Sequence, residues 1–316
     1  MVVVFSDSKN LTIEMLSKAR ELADAQKKQV TAVIIGADDA SKDYVAHGAD
    51  QVFVVDGGPK HVKAEEYAQV LEQVMKETKA ETILIGSDKY GKEIASRLGA
   101  LCKTGCVTDC INVEWNNNTV QVQRVVYSGN AIAVQQFKKA PHILTVPSKV
   151  FDPLPKDDKR KGTIAKKSYT IADVPSKITA VKELQSKGVN VEDAEIIVSC
   201  GRGLKNKEDL KLVNELADVL KGKTIGCSRP IAADLKWLPE EHWIGLSGHK
   251  VKPKLYIAAG ISGQIQHIAG MRDSGIVVAI NKDADALIFK SADYGIVGDL
   301  YKVLPKLTEA IKAKMG

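Results

Sequence analysis

Three short segments in the last third of this sequence carry residue types that can hold an anion. Gly201-Arg202-Gly203, Ser228-Arg229-Pro230 and Gly260-Ile261-Ser262-Gly263 each join glycine or proline to a guanidinium or a hydroxyl. Each follows a short apolar run, at 196–199, 224–227 and 255–258, and the third leads into a helix predicted to begin near Gln264. Bare N–H groups at such a helix start suit a phosphate or another anion. A glycine after a strand is more often a plain turn. Loops of this kind repeated along one sheet are another matter, because open α/β sheets bind ligands beyond the carboxyl ends of their strands.

The elements that must position these loops are legible in the hydrophobic pattern. The runs at 2–5, 31–35, 52–55 and 82–85 are short, apolar and bounded by Gly, Asp or Ser, as buried parallel strands are. Between them Leu11, Met15, Ala19, Leu22 and Ala23 recur at helical spacing, as do Tyr67, Val70, Leu71, Val74 and Met75. From 108 to 146 strand follows strand, with Asn116, Asn117 and Asn118 as a turn, and an antiparallel extension is expected there. Residues 151–177 hold Pro153, Pro155, Pro175 and the charged run KDDKRK, which read as a surface crossover with little regular structure. A second strand-and-helix series begins at 196 and adds strands at 224–227, 255–258 and 276–280. Its last helix carries Leu300, Val303, Leu304, Leu307 and Ile311 on one stripe. The fold class is therefore α/β, with two Rossmann-like parallel-sheet domains at 1–191 and 192–316, the second doubly wound.

Composition narrows the function. The 316 residues suffice for two domains, and 44% hydrophobic with 27% charged residues is an ordinary globular balance. A net charge of +6 spread along the chain is too dilute for a nucleic-acid face. No apolar run approaches a membrane span, and the opening MVVVF meets Asp7 too early for a signal sequence, so a soluble, cytoplasmic protein is expected. The five cysteines read as free thiols. Cys102, Cys106 and Cys110 have spacings that fit no common zinc pattern, and no metal is expected.

The stretch GISGQIQHIAGMRDSGIVVAINKDADALIFKSADYGIVGDL at 260–300 resembles the signature region of electron transfer flavoprotein α subunits, a family that includes FixB-type proteins. VSCGRGL at 198–204, GCSRP at 226–230, GSDKYGKEIASRLGA and VVYSGNAIAV agree with it in wording and order. The resemblance implies FAD in the C-terminal domain and a heterodimer with a β subunit. It also implies electron transfer from acyl-CoA dehydrogenase-type flavoproteins, or from NADH in a bifurcating complex, to a quinone reductase, ferredoxin or flavodoxin. Carried over by position, Arg202 is expected at the FAD diphosphate. Ser228 and Arg229 belong beside the isoalloxazine, with the guanidinium near N5. Ser262, Gly263, Gln264, Ile265, Gln266 and His267 match the family's SGxIQH segment, with His267 toward flavin O2. Asn281, Asp299 and Leu300 match its ribityl, diphosphate and adenosine contacts. Gly245, Leu246, Ser247 and Gly248 stand where the family commonly shows Gly-Gln-Thr-Gly, and Ile244, just before them, is expected at the cofactor with Gly245, Leu246 and Ser247; Ser247 keeps the hydroxyl there, and Leu246 replaces the amide.

The residue types make chemical sense apart from the family. A flavin that gains one electron without a proton concentrates negative charge around N1 and O2, where cationic and N–H donors stabilise it. Arg229, His267 and a helix N-terminus are such donors. The alternative is a nucleotide-dependent enzyme on a Rossmann-like fold, for which Ser6, Asp7, Ser87 and Asp88 are the candidate groups in the first domain. Ser262 is not a hydrolase elbow, because Gln264 stands where that motif needs glycine. No catalytic residue is assigned.

Overall fold

The computed structural model describes residues 1–56, 63–181, 191–220 and 224–315. The chain divides into two compact units, Met1–Ala180 and Val181–Gly316. The boundary expected from sequence, at 191, lies at the far side of residues 182–190, which fall outside the described part.

The first unit is built on one parallel sheet. Strands β1 (Val2–Phe5), β2 (Val30–Ile35), β3 (Gln51–Val55) and β4 (Thr82–Gly86) alternate with helices α1 (Lys9–Gln26), α2 (Ser41–Ala46), α3 (Ala64–Thr78) and α4 (Lys89–Leu101). The strands are continuous apolar runs because both faces are covered. Val2 and Val4 pack with Leu11, Met15, Leu16 and Leu22 of α1. Val3 and Phe5 face Tyr67, Leu71 and Val74 of α3 and Ile94 and Leu98 of α4. Ser8 caps α1, and the Asp88 carboxylate caps α4 by accepting from the Gly91 N–H at 2.6 Å.

Two expectations for this unit are corrected. After β5 (Cys106–Val107), the strands β6 (Cys110–Asn116), β7 (Thr119–Val126) and β8 (Ala131–Gln136) do form an antiparallel sheet, turned at Asn117 and Asn118 in the left-handed region. β9 (His142–Val146), however, returns to the parallel sheet beside β4, and all five of its residues are buried. The crossover also contains regular structure: β10 (Thr163–Lys167) pairs with β3, giving the order β10-β3-β2-β1-β4-β9-β5. TIAKK lacks an apolar run because it is a half-exposed edge, and lysines suit an edge that must not recruit further strands.

The second unit holds β11 (Ile196–Cys200), α5 (Leu210–Val219), β12 (Ile225–Cys227), β13 (Leu255–Ala259), α6 (Ile265–Met271), β14 (Ile276–Asn281), β15 (Tyr294–Val297) and α7 (Leu300–Met315). Every pair is parallel, in the order β12-β11-β13-β14-β15. The order reverses between β11 and β13, which makes the ends of those strands the switch point where doubly wound sheets bind ligands. One face packs Val198, Cys200, Ile257 and Ala259 against α5 and α7, including the expected Leu300 and Leu304. The other packs Ile197, Tyr256 and Ala258 against Met271 and Ile288. Among the described residues, no helix is long and apolar enough to cross a membrane.

Candidate cofactor site

The five strands of the second unit release their loops in register. Hydrogen bonding continues past the strand ends: the N–H groups of Ser228, Gly201, Gly260 and Gly298 donate to the carbonyls of Cys200, Ala259, Ile280 and Asn281 at 2.8–3.0 Å. Arg202, Ser228, Ser262, Asn281 and Asp299 therefore leave along one edge of one sheet. At the switch point the two loops touch through glycine. Gly203 donates to the Gly260 carbonyl at 3.0 Å, and a Cβ on Gly260, whose φ is +65°, would stand 2.8 Å from the Gly203 Cα. Only glycine tolerates both that torsion and that approach.

A second group of expected residues is gathered by α6. Ile244 to Ser247 run against it: the Leu246 N–H donates to the Gln266 carbonyl at 2.7 Å. Gly270 lets the backbones meet, since a Cβ there would lie 2.5 Å from the Gly245 nitrogen. Trp243 pairs with Cys227 at the end of β12, and its ring lies 6.0 Å from the Arg229 guanidinium, a cation–π distance. Directly after Arg229, Pro230–Asp234 forms a single π turn, closed by Leu235 N–H to the Pro230 carbonyl; such turns are frequent at functional sites. α6 itself has only seven residues, Ile265–Met271.

His267 behaves differently from the other donors. It is 7% exposed, and its Nε2 lies 2.9 Å from the hydroxyl of the fully buried Tyr256. Its Nδ1 is sealed from water and makes no hydrogen bond. Burial pushes the ring's pKa down to about 4, against a smaller opposing pull from the Ile244 carbonyl, so the imidazole is neutral near pH 7.

Arg202, Arg229, Leu246, Ser247, Ser262, Gln264, Ile265, Gln266 and Asp299 are exposed. Leu300 is not: its side chain is buried against Gly203 and Gly260, leaving its backbone for any ligand. Asn281 is engaged in holding the loops, donating to the Ile261 carbonyl at 2.9 Å and accepting from Asp283 N–H at 3.0 Å. Gly263 and Gly245 are buried turns beneath this surface. Sequence reasoning missed Trp243 and Tyr256. The signal for the second was one phenol inside the otherwise aliphatic strand LYIAA.

The polar groups at the strand ends of the first unit serve its own fold. Ser6 Oγ accepts from Ser8 N–H, Asp88 caps α4, and Ser87 donates to Asp109 and meets Thr145 Oγ1 at 2.7 Å. Burial and the neighbouring Asp88 raise the Asp7 pKa, a carboxylate pairing unsuited to a phosphate. All five cysteines are free, and burial pushes the Cys200 thiol up to about 12, in keeping with its reading as packing. Among the described residues, no group of three or more His, Cys, Asp or Glu is placed to hold a metal.

Two guanidinium groups, hydroxyls, exposed Leu246 and Ile265, and a buried imidazole nitrogen with an unmet hydrogen bond fit a large, flat, partly apolar anion such as a flavin dinucleotide. Comparison with known proteins agrees. Residues 3–172 match the electron transfer flavoprotein domain, and residues 190–272 match the electron transfer flavoprotein FAD-binding domain. The electron transfer flavoprotein subunit alpha of Thermoanaerobacterium thermosaccharolyticum is 43% identical over 310 residues, covering 96% of this chain and 93% of that protein. Protein FixB of Escherichia coli O157:H7 is 35% identical over 311 residues, 98% of this chain and 97% of its own length. Subunit LctC of the lactate dehydrogenase (NAD(+),ferredoxin) of Acetobacterium woodii is 38% identical over 308 residues, 96% of this chain and 73% of LctC. The cofactor of the second unit is FAD, and the chain belongs to the electron transfer flavoprotein α-subunit family.

Proposed function

We propose that the crescent from Ser228 to Asp299 is the FAD site, and that the chain works as a heterodimer with a β subunit in the cytoplasm of a bacterium. The observation that carries the reading is the shared sheet edge: Arg229, Arg202, the 260–267 segment, Asn281 and Asp299 stand at the ends of consecutive strands, on the side where this topology binds ligands. FAD, when bound, supplies reversible one- and two-electron chemistry. The chain's own residues set the terms on which it does so. Arg202 attracts the diphosphate. Arg229, steadied over Trp243, places a fixed positive charge at the ring system. Neutral His267 contributes a hydrogen bond and no charge, and Leu246 and Ile265 offer apolar surface.

Electrons then pass from flavoprotein dehydrogenases of the acyl-CoA type to an acceptor such as a quinone reductase. A second reading is favoured by the 38% identity to LctC, whose name joins NAD and ferredoxin: a bifurcating complex in which NADH is the donor and ferredoxin or flavodoxin one acceptor. Copurification with the β partner and a count of flavins per heterodimer separates the two. One FAD and no oxidation of NADH is the outcome for a simple carrier; two flavins with NADH-driven ferredoxin reduction is the outcome for bifurcation. A complex with no flavin spectrum, even after incubation with FAD, would overturn both.

A further inference from the structure

The Tyr256 and His267 pair is a polar contact in an otherwise apolar layer. Tyr256 is fully buried on β13, and its oxygen lies 2.9 Å from His267 Nε2. On the same face, two residues beyond the partner of Tyr256 in the β11 ladder, stands Ser199, whose buried hydroxyl makes no well-formed hydrogen bond.

Two tautomers fit a 2.9 Å contact. Either Nε2–H donates to the phenol, or the phenol donates to a bare Nε2 and the proton resides on Nδ1. The phenol decides between them. Among the described residues Nε2 is the one group its hydroxyl meets within hydrogen-bond distance, and an Nε2–H pointed at the phenol oxygen would leave the buried O–H with no acceptor. The phenol therefore donates, and the ring's proton belongs to Nδ1.

We propose that Tyr256 is a positioning residue for this site: its hydroxyl donates to His267 Nε2, fixing the imidazole as the Nδ1–H tautomer and leaving one N–H as its donor toward the flavin. The inference rests on the FAD reading above. Its cost and its logic are visible together. A buried N–H without a partner is unfavourable, and a ligand carbonyl that supplies the partner recovers that cost on binding. Tyr256 thus touches no ligand and still determines which ring nitrogen a ligand meets.

The test is nitrogen NMR on the purified complex with its β partner, labelled at histidine, with and without FAD. His267→Gln assigns the signal among the six histidines of the chain. The expected result is a protonated Nδ1 and a bare Nε2, an Nδ1 resonance that moves on FAD binding, and a mixture of tautomers in Tyr256→Phe. FAD dissociation constants in that variant should rise about two- to tenfold, the equivalent of one neutral hydrogen bond. A protonated Nε2 in the unmodified complex overturns the proposal without any variant, as does an unchanged tautomer in Tyr256→Phe. An Nδ1 resonance that ignores FAD at full occupancy overturns the placement of His267 at the flavin instead, while leaving the tautomer assignment standing.

Discussion

Arg229 and His267 were paired by the sequence as donors to a reduced flavin, and the structure separates them by charge. Arg229 is exposed and permanently cationic, so its effect should appear in the cofactor's first one-electron potential. A charge-assisted hydrogen bond is worth about 1.5–3 kcal/mol, which corresponds to roughly 60–130 mV for one electron. Arg229→Ala should lower that potential by this amount, measured by spectroelectrochemical titration at full FAD occupancy; no change would remove the residue from the flavin. His267 should instead show in the pH dependence of stability. Its folded pKa of about 4 lies below the unfolded value, so the unfolded chain binds the extra proton between them. The stability tied to the neutral ring is whole above about pH 6.5 and is lost as pH falls toward 4, roughly 3 kcal/mol in all. In flavin-free protein, unfolding by urea at pH 7 and pH 5 should cost the parent about 2 kcal/mol more than His267→Gln. Equal losses in the two would contradict a buried neutral His267.

At the scale of elements, the site depends on α6 lying hard against the 244–248 segment. Gly270 is the contact that permits it, and its Cβ position is blocked by the backbone of Gly245 at 2.5–2.6 Å. Neither backbone can yield as a flexible side chain would. Gly270→Ala should therefore cost about 1–3 kcal/mol of stability, as overpacking does. It should also weaken FAD binding about tenfold, the equivalent of about 1.4 kcal/mol, because Leu246 and His267 are displaced together. Thermal melts and fluorescence titration of FAD would measure both. Unaltered affinity would mean that the 244–248 segment lies outside the FAD site.

At the scale of the whole molecule, each unit has its own sheet and its own pair of cores. The proposed FAD-binding edge lies in the second unit, so retention of FAD tests what the β partner adds. Expressed by itself, the chain should be poorly soluble or lose FAD on gel filtration, and coexpression with the β subunit should restore one FAD per chain by absorbance. A stable, flavin-replete monomer at micromolar concentration would count against an obligate heterodimer.

What the sequence determined by itself is whatever is written locally. Continuous apolar runs marked the strands 2–5, 82–85 and 255–258, helical spacing marked α1, α3 and α7, and the ordered Gly, Ser and Arg loops pointed to an anion site and its family. The structure alone decided what depends on distant pairing and on burial. β10 is a strand because β3, more than a hundred residues earlier, offers it an edge; TIAKK carries no signal of its own. His142–Val146 leaves the antiparallel series because its residues find cover on both faces of the parallel sheet. The state of His267 was equally hidden. Its motif placed it near a ligand, whereas its neutrality and its bond to Tyr256 arise from desolvation beneath α6, which no spacing of residues records.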